Sequence, residues 1–104
     1  MYKIKAGAIP YLEDNGFRER YDGAWVLRFP VYYYKKTPLI FATATLWLDL
    51  GKEIRIDVTN NNGTSYFLWY QREEYGQDSR LIKEIEKNID NKMHKIGARH
   101  YADR

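Results

Sequence analysis

Residues 25–49, WVLRFPVYYYKKTPLIFATATLWLD, decide the fold, because two apolar stretches lie on either side of a short polar turn. They predict strands over 25–34 and 39–49, joined by a four-residue turn. If Tyr34 lies opposite Leu39, one face of the pair is wholly apolar or aromatic and the other face is mixed. A slip of one residue would destroy this separation, so the pattern favours an antiparallel hairpin with one buried face.

The mixed face of this hairpin is expected to carry aromatic side chains beside arginine and threonine. Its candidate binding residues from the hairpin are Arg28, Tyr32, Phe41 and Trp47. In the predicted register Trp47 lies opposite Val26. Pro30 cannot donate a hydrogen bond to a neighbouring strand, so we expect the first strand to be bulged there or to lie near an edge.

Further strands are predicted after the turn at Gly51-Lys52. Residues 53–58 alternate apolar and charged side chains, which is typical of a half-buried strand and places Arg55 on the mixed face. Asn62-Gly63 is a strong signal for a two-residue turn, so a last strand is predicted over 64–70. Tyr66 and Tyr70 would then also lie on the mixed face, with Phe67 and Trp69 toward the core. A turn of odd length would reverse these faces.

The C-terminal part predicts one amphipathic helix, capped by Asp78 or Ser79 and ended by Gly97. Its apolar residues repeat at helical spacing and form one stripe: Ile82, Ile85, Ile89, Met93 and Ile96. The predicted fold class is therefore α+β, an antiparallel β-meander of four to five strands with one C-terminal α-helix packed across one face.

A single domain is expected for the 104 residues. Its predicted parts are an irregular N-terminal segment, the β-meander, the helix and a basic tail, over residues 1–23, 24–70, 78–97 and 98–104. Short strands over 3–9 and 17–21 are possible within the first of these parts.

The net charge of +3 lies at the C-terminus, where Lys92, Lys95, Arg99 and Arg104 outnumber Asp103. These four cations are candidates for contacting an anion. Cations near the end of a helix also complement the helix dipole, however. Strong nucleic-acid binders carry a much clearer basic surface, so this charge is weak evidence for nucleic acid.

Groups that carry chemistry are sparse. The absence of cysteine excludes disulfides, cysteine-based metal sites and a cysteine nucleophile. Asp90 and His94 are one helical turn apart, but such pairs are common on solvated helices, and no phosphate-binding glycine pattern occurs. We expect no catalytic residues, no metal and no cofactor. No apolar run reaches the roughly 20 residues that cross a membrane, so a cytoplasmic protein without membrane contact is expected.

One helix, about 10 Å wide, cannot cover a five-stranded sheet about 19 Å across unless the sheet curls around it. The aromatic mixed face also needs an explanation, because monomers rarely expose large apolar patches. The N-terminal segment could cover it, a protein partner or a second copy could bind it, or it could stack nucleobases or form a small-molecule cavity.

The leading hypothesis is a small non-catalytic interaction module that binds a protein partner or itself through this aromatic sheet face. The alternative is single-stranded nucleic-acid binding through the same aromatic residues and the basic tail.

Overall fold

The predicted hairpin forms the centre of an antiparallel sheet in the computed structural model, which describes residues 2–75 and 79–100. Six strands are present in these residues: β1 Tyr2–Ile4, β2 Arg18–Glu19, β3 Trp25–Tyr34, β4 Thr37–Leu46, β5 Glu53–Asn60 and β6 Ala98–His100. Their order across the sheet is β2-β3-β4-β5-β1-β6. The predicted α+β class is confirmed, with slightly more strands than the four to five expected.

The helix predicted from the apolar stripe is α3, Arg80–Lys95. The Ser79 side chain caps it by accepting the backbone N–H of Ile82 at 3.3 Å, whereas Asp78 lies outside the described residues. All five apolar stripe residues are buried, and the helix packs across one face of the sheet as predicted. Three short helices also occur in the described part of the chain: a 3-10 helix Ala6–Tyr11, α1 Phe67–Tyr70 and α2 Arg72–Tyr75.

The hairpin register differs from the predicted register by two residues. Lys35 and Lys36, with φ of 49° and 69°, form a two-residue turn, so Tyr34 pairs with Thr37. A turn with positive φ at both residues matches the twist of the flanking strands. Here it replaces the predicted four-residue turn. A shift by two residues keeps each side chain on its face. The predicted buried face is therefore right at Leu27 and Phe29, which are buried opposite Ala44 and Ala42, although the predicted pairs are wrong and Tyr33 is exposed.

The irregularity expected at Pro30 is a β-bulge. Pairing passes from Pro30 to Tyr32, and Tyr32 lies opposite Ile40, a residue of the buried face. Residues directly opposite each other share a face, so the bulge turns Tyr32 to the helix side of the sheet. The side-chain amide of Asn88 in α3 donates a 2.8 Å hydrogen bond to the carbonyl of Val31, the residue that the ladder skips.

The predicted strand over 64–70 is wrong. The turn before it contains three residues, since the N–H of Asn60 donates to the carbonyl of Thr64 at 2.8 Å, and α1 follows. The Tyr66 N–H donates to the Val58 carbonyl at 3.0 Å, and the Val58 N–H donates to the Tyr70 hydroxyl at 3.1 Å. A helical turn thus satisfies the edge of β5 beyond the point where β1 ends, as a further strand would have done.

The N-terminal segment lies on the helix side of the sheet and not over the mixed face. Leu12 and Phe17 are buried in the same core as Leu27 of β3. Part of the strand expected over 3–9 forms as β1, but the chain then turns into the 3-10 helix. This segment therefore widens the core instead of covering the aromatic face.

Residues 98–100 form the edge strand β6 and are not a tail. Gly97 ends α3 with a φ of +86°, which reverses the chain direction, and its carbonyl accepts the Lys5 N–H at 2.9 Å. β6 then pairs antiparallel with β1. The basic tail predicted from charge alone is wrong for these residues, because backbone pairing holds them in the sheet.

Leu46 is fully buried on the core face, so its truncation leaves a cavity. We expect Leu46→Ala to lower the free energy of unfolding by about 2–5 kcal/mol, measured by urea denaturation. Leu50→Ala removes the same atoms from a side chain that is 66% exposed, and it should change stability by no more than about 0.5 kcal/mol. Equal losses in the two variants would contradict the predicted cavity.

A Cβ added at Gly97 would lie 2.6 Å from the Ala8 Cβ, in addition to the strain of a positive φ. Gly63 has a similar φ of +91° but open space around it. Gly63→Ala should cost about 1–2 kcal/mol of backbone strain, and Gly97→Ala should cost at least about 1 kcal/mol more. Thermal unfolding of both variants measures the difference, and its absence would show that Ala8 does not pack on Gly97.

Candidate functional site

A groove of about 1010 Å³ lies on the helix side of the sheet, between α3 and the strands β5, β1 and β6. The groove is a part of the sheet face that α3 leaves uncovered, as expected because one helix is narrower than the sheet. Leu12 and Phe17 fill the other flank, beside β3, but no equivalent segment of the described chain fills this one. The core is consequently closed on one side of α3 and open on the other.

Three parts of the chain line the groove. The sheet contributes Tyr2, Ile54, Arg55, Ile56, Ala98, Arg99 and His100. α3 contributes Glu86, Ile89, Asp90, Asn91 and His94, and the two short helices contribute Trp69 and Arg72. Apolar side chains from all three parts therefore meet several ionisable groups in one concave surface.

Tyr2 joins the sheet to α3, since its hydroxyl donates a hydrogen bond to the carboxylate of Asp90. Burial, this hydrogen bond and the negative charges of Asp90 and Glu86 raise the pKa of Tyr2 well above its ordinary value. The phenol therefore stays protonated at neutral pH and acts as a donor. The ring of His100 meets the Tyr2 ring edge-on, with 5.1 Å between centroids.

Arg72 holds in place the wall of the groove that the two short helices α1 and α2 form. Its guanidinium carbon lies 3.9 Å from the centroid of the Trp69 ring, and its Nη1 donates to the Trp69 carbonyl at 2.7 Å. Its Nε also lies 3.9 Å from an oxygen of Glu86 in α3. The buried Trp69 thus belongs to a wall whose arginine contacts the main helix.

The structure does not gather the predicted aromatic residues on the mixed face. Phe41 lies there with Arg28, whose guanidinium carbon is 3.7 Å from the ring centroid. Arg55, predicted for the same face, ion-pairs with Asp57 at 3.1 Å. Trp47 follows the end of β4 at Leu46, and Thr45, not Trp47, lies opposite Val26.

The other three predicted aromatic residues lie elsewhere. The bulge turns Tyr32 to the helix side, where Tyr66 also packs against the core. Burial and the nearby Tyr32 raise the pKa of Tyr66. Tyr70 lies at the edge of β5, and its hydroxyl donates to the Asp57 carboxylate at 3.3 Å.

The predicted anion-contacting residues are also separated. Lys92 and Lys95 belong to α3 and do not line the groove, Arg99 lies in β6 and lines it, and Arg104 lies outside the described residues.

Over the part of the chain that the structure describes, no cluster of three or more histidine, aspartate or glutamate side chains could hold a metal ion. Nor does any described helix combine the length and apolar character needed to cross a membrane.

The groove residues that sequence reasoning missed come from distant parts of the chain. Tyr2 and Asp90 are 88 positions apart, so no local pattern links them. Trp69 was expected to face the core from a strand, and its place in the groove wall depends on α1. The spacing of Asp90 and His94 was the one available signal, and it marks a helix surface without showing what faces it.

No family model matches this chain, and no curated protein matches it. Its α+β architecture is similar to the crystal structure of a DUF1831 family protein from Lactobacillus plantarum, with a TM-score of 0.55 and 13% sequence identity. The similarity covers 92% of this chain and 79% of that chain. At this identity it shows a shared fold alone.

The raised pKa of Tyr2 predicts a loss of stability at alkaline pH. An unfolded tyrosine ionises near pH 10 and the folded Tyr2 does not, so its contribution is complete below pH 10 and declines above it. Between about pH 9 and 11, the free energy of unfolding should fall more steeply for the wild type than for Tyr2→Phe, by up to about 1.4 kcal/mol per pH unit.

Urea denaturation at matched pH values measures both slopes. Tyr66 is present in both proteins, so its own raised pKa cancels from the comparison. Parallel slopes would show that Tyr2 ionises equally readily in the folded and unfolded states.

Proposed function

We propose that this protein is a small non-catalytic interaction module that binds a protein partner through the groove beside α3. The observation that carries the proposal is the open flank of the core, where Trp69 and Tyr2 line a preformed cavity of about 1010 Å³. Binding sites are typically concave, mainly apolar, and supplied with a few convergent polar groups. This groove has those properties, and its size suits several side chains of a partner.

The groove is a better candidate than the aromatic sheet face expected from the sequence. Tyr32 and Tyr66 pack on the helix side, and Arg28 stacks on Phe41. The mixed face also carries the ion pair of Arg55 with Asp57. A face composed of such contacts is already partly covered by its own polar side chains and has less need of a partner.

The polar groups of the groove favour binding over catalysis. General acid–base catalysis works best when a group has a pKa near the working pH. The pKa of Tyr2 is shifted away from neutrality, and the Asp90 carboxylate already accepts the Tyr2 hydroxyl. The two groups therefore fix the wall of the groove, which suits binding.

The other two binding hypotheses have less support from the geometry. Single-stranded nucleic acid would need aromatic faces open for stacking, and Arg28 covers a face of Phe41. Self-association by edge pairing would use β2 or β6, which contain two and three residues. Such short edge strands offer little backbone for a second copy to pair with.

Selection from a phage-displayed random peptide library on the wild-type protein tests the proposal. Two adjacent exposed residues in the last turn of α3 provide matched variants, because His94 lines the groove and Lys95 does not. We expect His94→Trp to weaken binding of the selected peptides by about tenfold or more, and Lys95→Trp to leave it unchanged. Isothermal titration calorimetry measures both affinities.

Equal affinities for the two variants would place the peptides outside the groove and reject the proposed site. A library that yields no ligand, together with binding of an oligothymidine probe in fluorescence anisotropy, would favour the nucleic-acid hypothesis instead. Circular dichroism is the control for folding, and both variants should keep the wild-type helix content.

A further inference from the structure

The outer edge of β5, which faces away from β4, is paired with β1 at its beginning. The carbonyl of Lys52, directly before β5, accepts the Ile4 N–H at 3.0 Å, and two residues later Ile54 lies opposite Tyr2. In an antiparallel sheet the backbone groups of every second residue point to the same neighbouring strand. The even-numbered residues of β5 therefore direct their N–H and C=O groups to this outer edge.

The second half of β5 follows the same alternation, but its partners come from the segment that contains α1. The Val58 carbonyl accepts the Tyr66 N–H at 3.0 Å, and the Val58 N–H donates to the Tyr70 hydroxyl at 3.1 Å. The Asn60 N–H donates to the Thr64 carbonyl at 2.8 Å. The outer edge of β5 is thus paired on both sides of position 56.

Ile56 interrupts this series of hydrogen bonds. Its N–H and C=O point to the outer edge, and within residues 2–75 and 79–100 neither group has a hydrogen-bond partner. Ile54 and Val58 lie about 13 Å apart along the strand, at ~3.3 Å per residue. One backbone donor and one backbone acceptor are therefore open to a ligand between β1 and α1.

This open position of the strand lies at the groove. Ile56 is opposite the buried Ala44, so its side chain faces the helix side of the sheet, where it lines the groove. Residues directly opposite each other share a face of the sheet. A ligand residue that pairs with Ile56 therefore directs its own side chain into the groove, whose apolar lining includes Ile54, Trp69 and Ile89.

The charged lining of the groove selects neither an anion nor a cation. It contains both signs: Arg55, Arg72, Arg99, Glu86 and Asp90. Two of these arginines already lie within ion-pair distance of a carboxylate. A ligand that meets an open N–H beside an open C=O must itself present an acceptor and a donor. Each residue of a peptide backbone has both, with partial charges complementary to those of the open position.

We infer that the occupant of the groove is an extended peptide segment that adds one residue to the outer edge of β5 at Ile56. The N–H of this ligand residue donates to the Ile56 carbonyl, and its carbonyl accepts the Ile56 N–H. Antiparallel pairing is favoured because one ligand residue then makes both bonds. The side chain of that residue is apolar and lies in the groove. This inference rests on the proposed function and adds to it the type of ligand and the mode of binding.

Beyond this one residue, the ligand leaves the line of the strand. Tyr2 lies opposite Ile54 on one side, and the Tyr66 N–H bonds to Val58 on the other. A peptide that continued along β5 would displace these contacts. The site therefore recognises a single extended residue and not a complete additional strand.

Amide hydrogen exchange of the wild-type protein, followed by NMR spectroscopy, tests the open position. The Ile56 N–H should exchange with solvent at least about tenfold faster than the N–H groups of Ile54 and Val58, which have partners. Equal protection of the three amides would show that Ile56 is already paired, and it would overturn the inference.

Three synthetic probes test the pairing itself. The parent probe is acetyl-Ser-Ala-Leu-Ala-Ser-amide. The first ester probe replaces the leucine by its α-hydroxy acid, so an ester oxygen takes the place of the leucine N–H. The second ester probe makes the same replacement at the alanine before the leucine, whose N–H points away from β5 in the inferred pairing. The two esters keep every side chain and differ only in which N–H is lost.

We expect the parent probe to bind and to shift the NMR resonance of the Ile56 amide. Loss of the leucine N–H should weaken binding about fivefold, because the Ile56 carbonyl loses its donor. Loss of the alanine N–H should change the affinity by less than about twofold. Titrations followed by NMR spectroscopy measure all three affinities, including dissociation constants in the millimolar range.

The outcomes distinguish this inference from the proposed function. If the three probes bind equally well and His94→Trp weakens all of them, the groove binds peptides without using Ile56, and the inference is wrong. If the parent probe does not bind although peptide selection yields groove ligands, the inference fails and the proposed function stands. If neither the parent probe nor any selected peptide binds, the proposed function fails together with the inference.

Discussion

The constraint on which this structure depends is that one amphipathic helix must cover one face of a sheet wider than itself. A helix is about 10 Å wide, whereas six strands span about 24 Å. The chain meets this constraint differently on the two flanks of α3. Leu12 and Phe17 complete the core beside β3, and on the flank beside β5, β1 and β6 the core remains open as a groove.

Contacts between distant parts of the chain hold the open flank in shape. Tyr2 hydrogen-bonds to Asp90 across the groove, and Arg72 connects Trp69 with Glu86. Along the exposed length of β5, the helical turn α1 satisfies backbone groups that would otherwise need another strand. A cavity fixed in this way requires little ordering when a ligand enters, which favours binding.

On the opposite face of the sheet, arginine side chains reduce the aromatic surface that is open to solvent. Arg28 stacks on Phe41, and Arg55 pairs with Asp57. Long arginine side chains cover apolar surface while their charged ends stay in water. Aromatic residues of the chain lie instead in the core, at the edge of β5 and in the wall of the groove, which is the proposed binding site.

The sequence by itself determined the fold class, the buried face of the central hairpin and the buried stripe of α3. These features follow from periodicity: a register shift of two residues leaves strand faces unchanged, and helical spacing is independent of what the helix contacts. Ser79 and Gly97 likewise begin and end the helix through local backbone chemistry.

Only the tertiary structure decided where the candidate binding residues lie. One extra residue in a strand moves Tyr32 to the other face, and a helical turn in place of a strand redirects Tyr66 and Tyr70. The pairing of Tyr2 with Asp90 joins the two ends of the chain. Such positions depend on which elements pack together and where backbone groups find partners, and no local pattern of residues records that information.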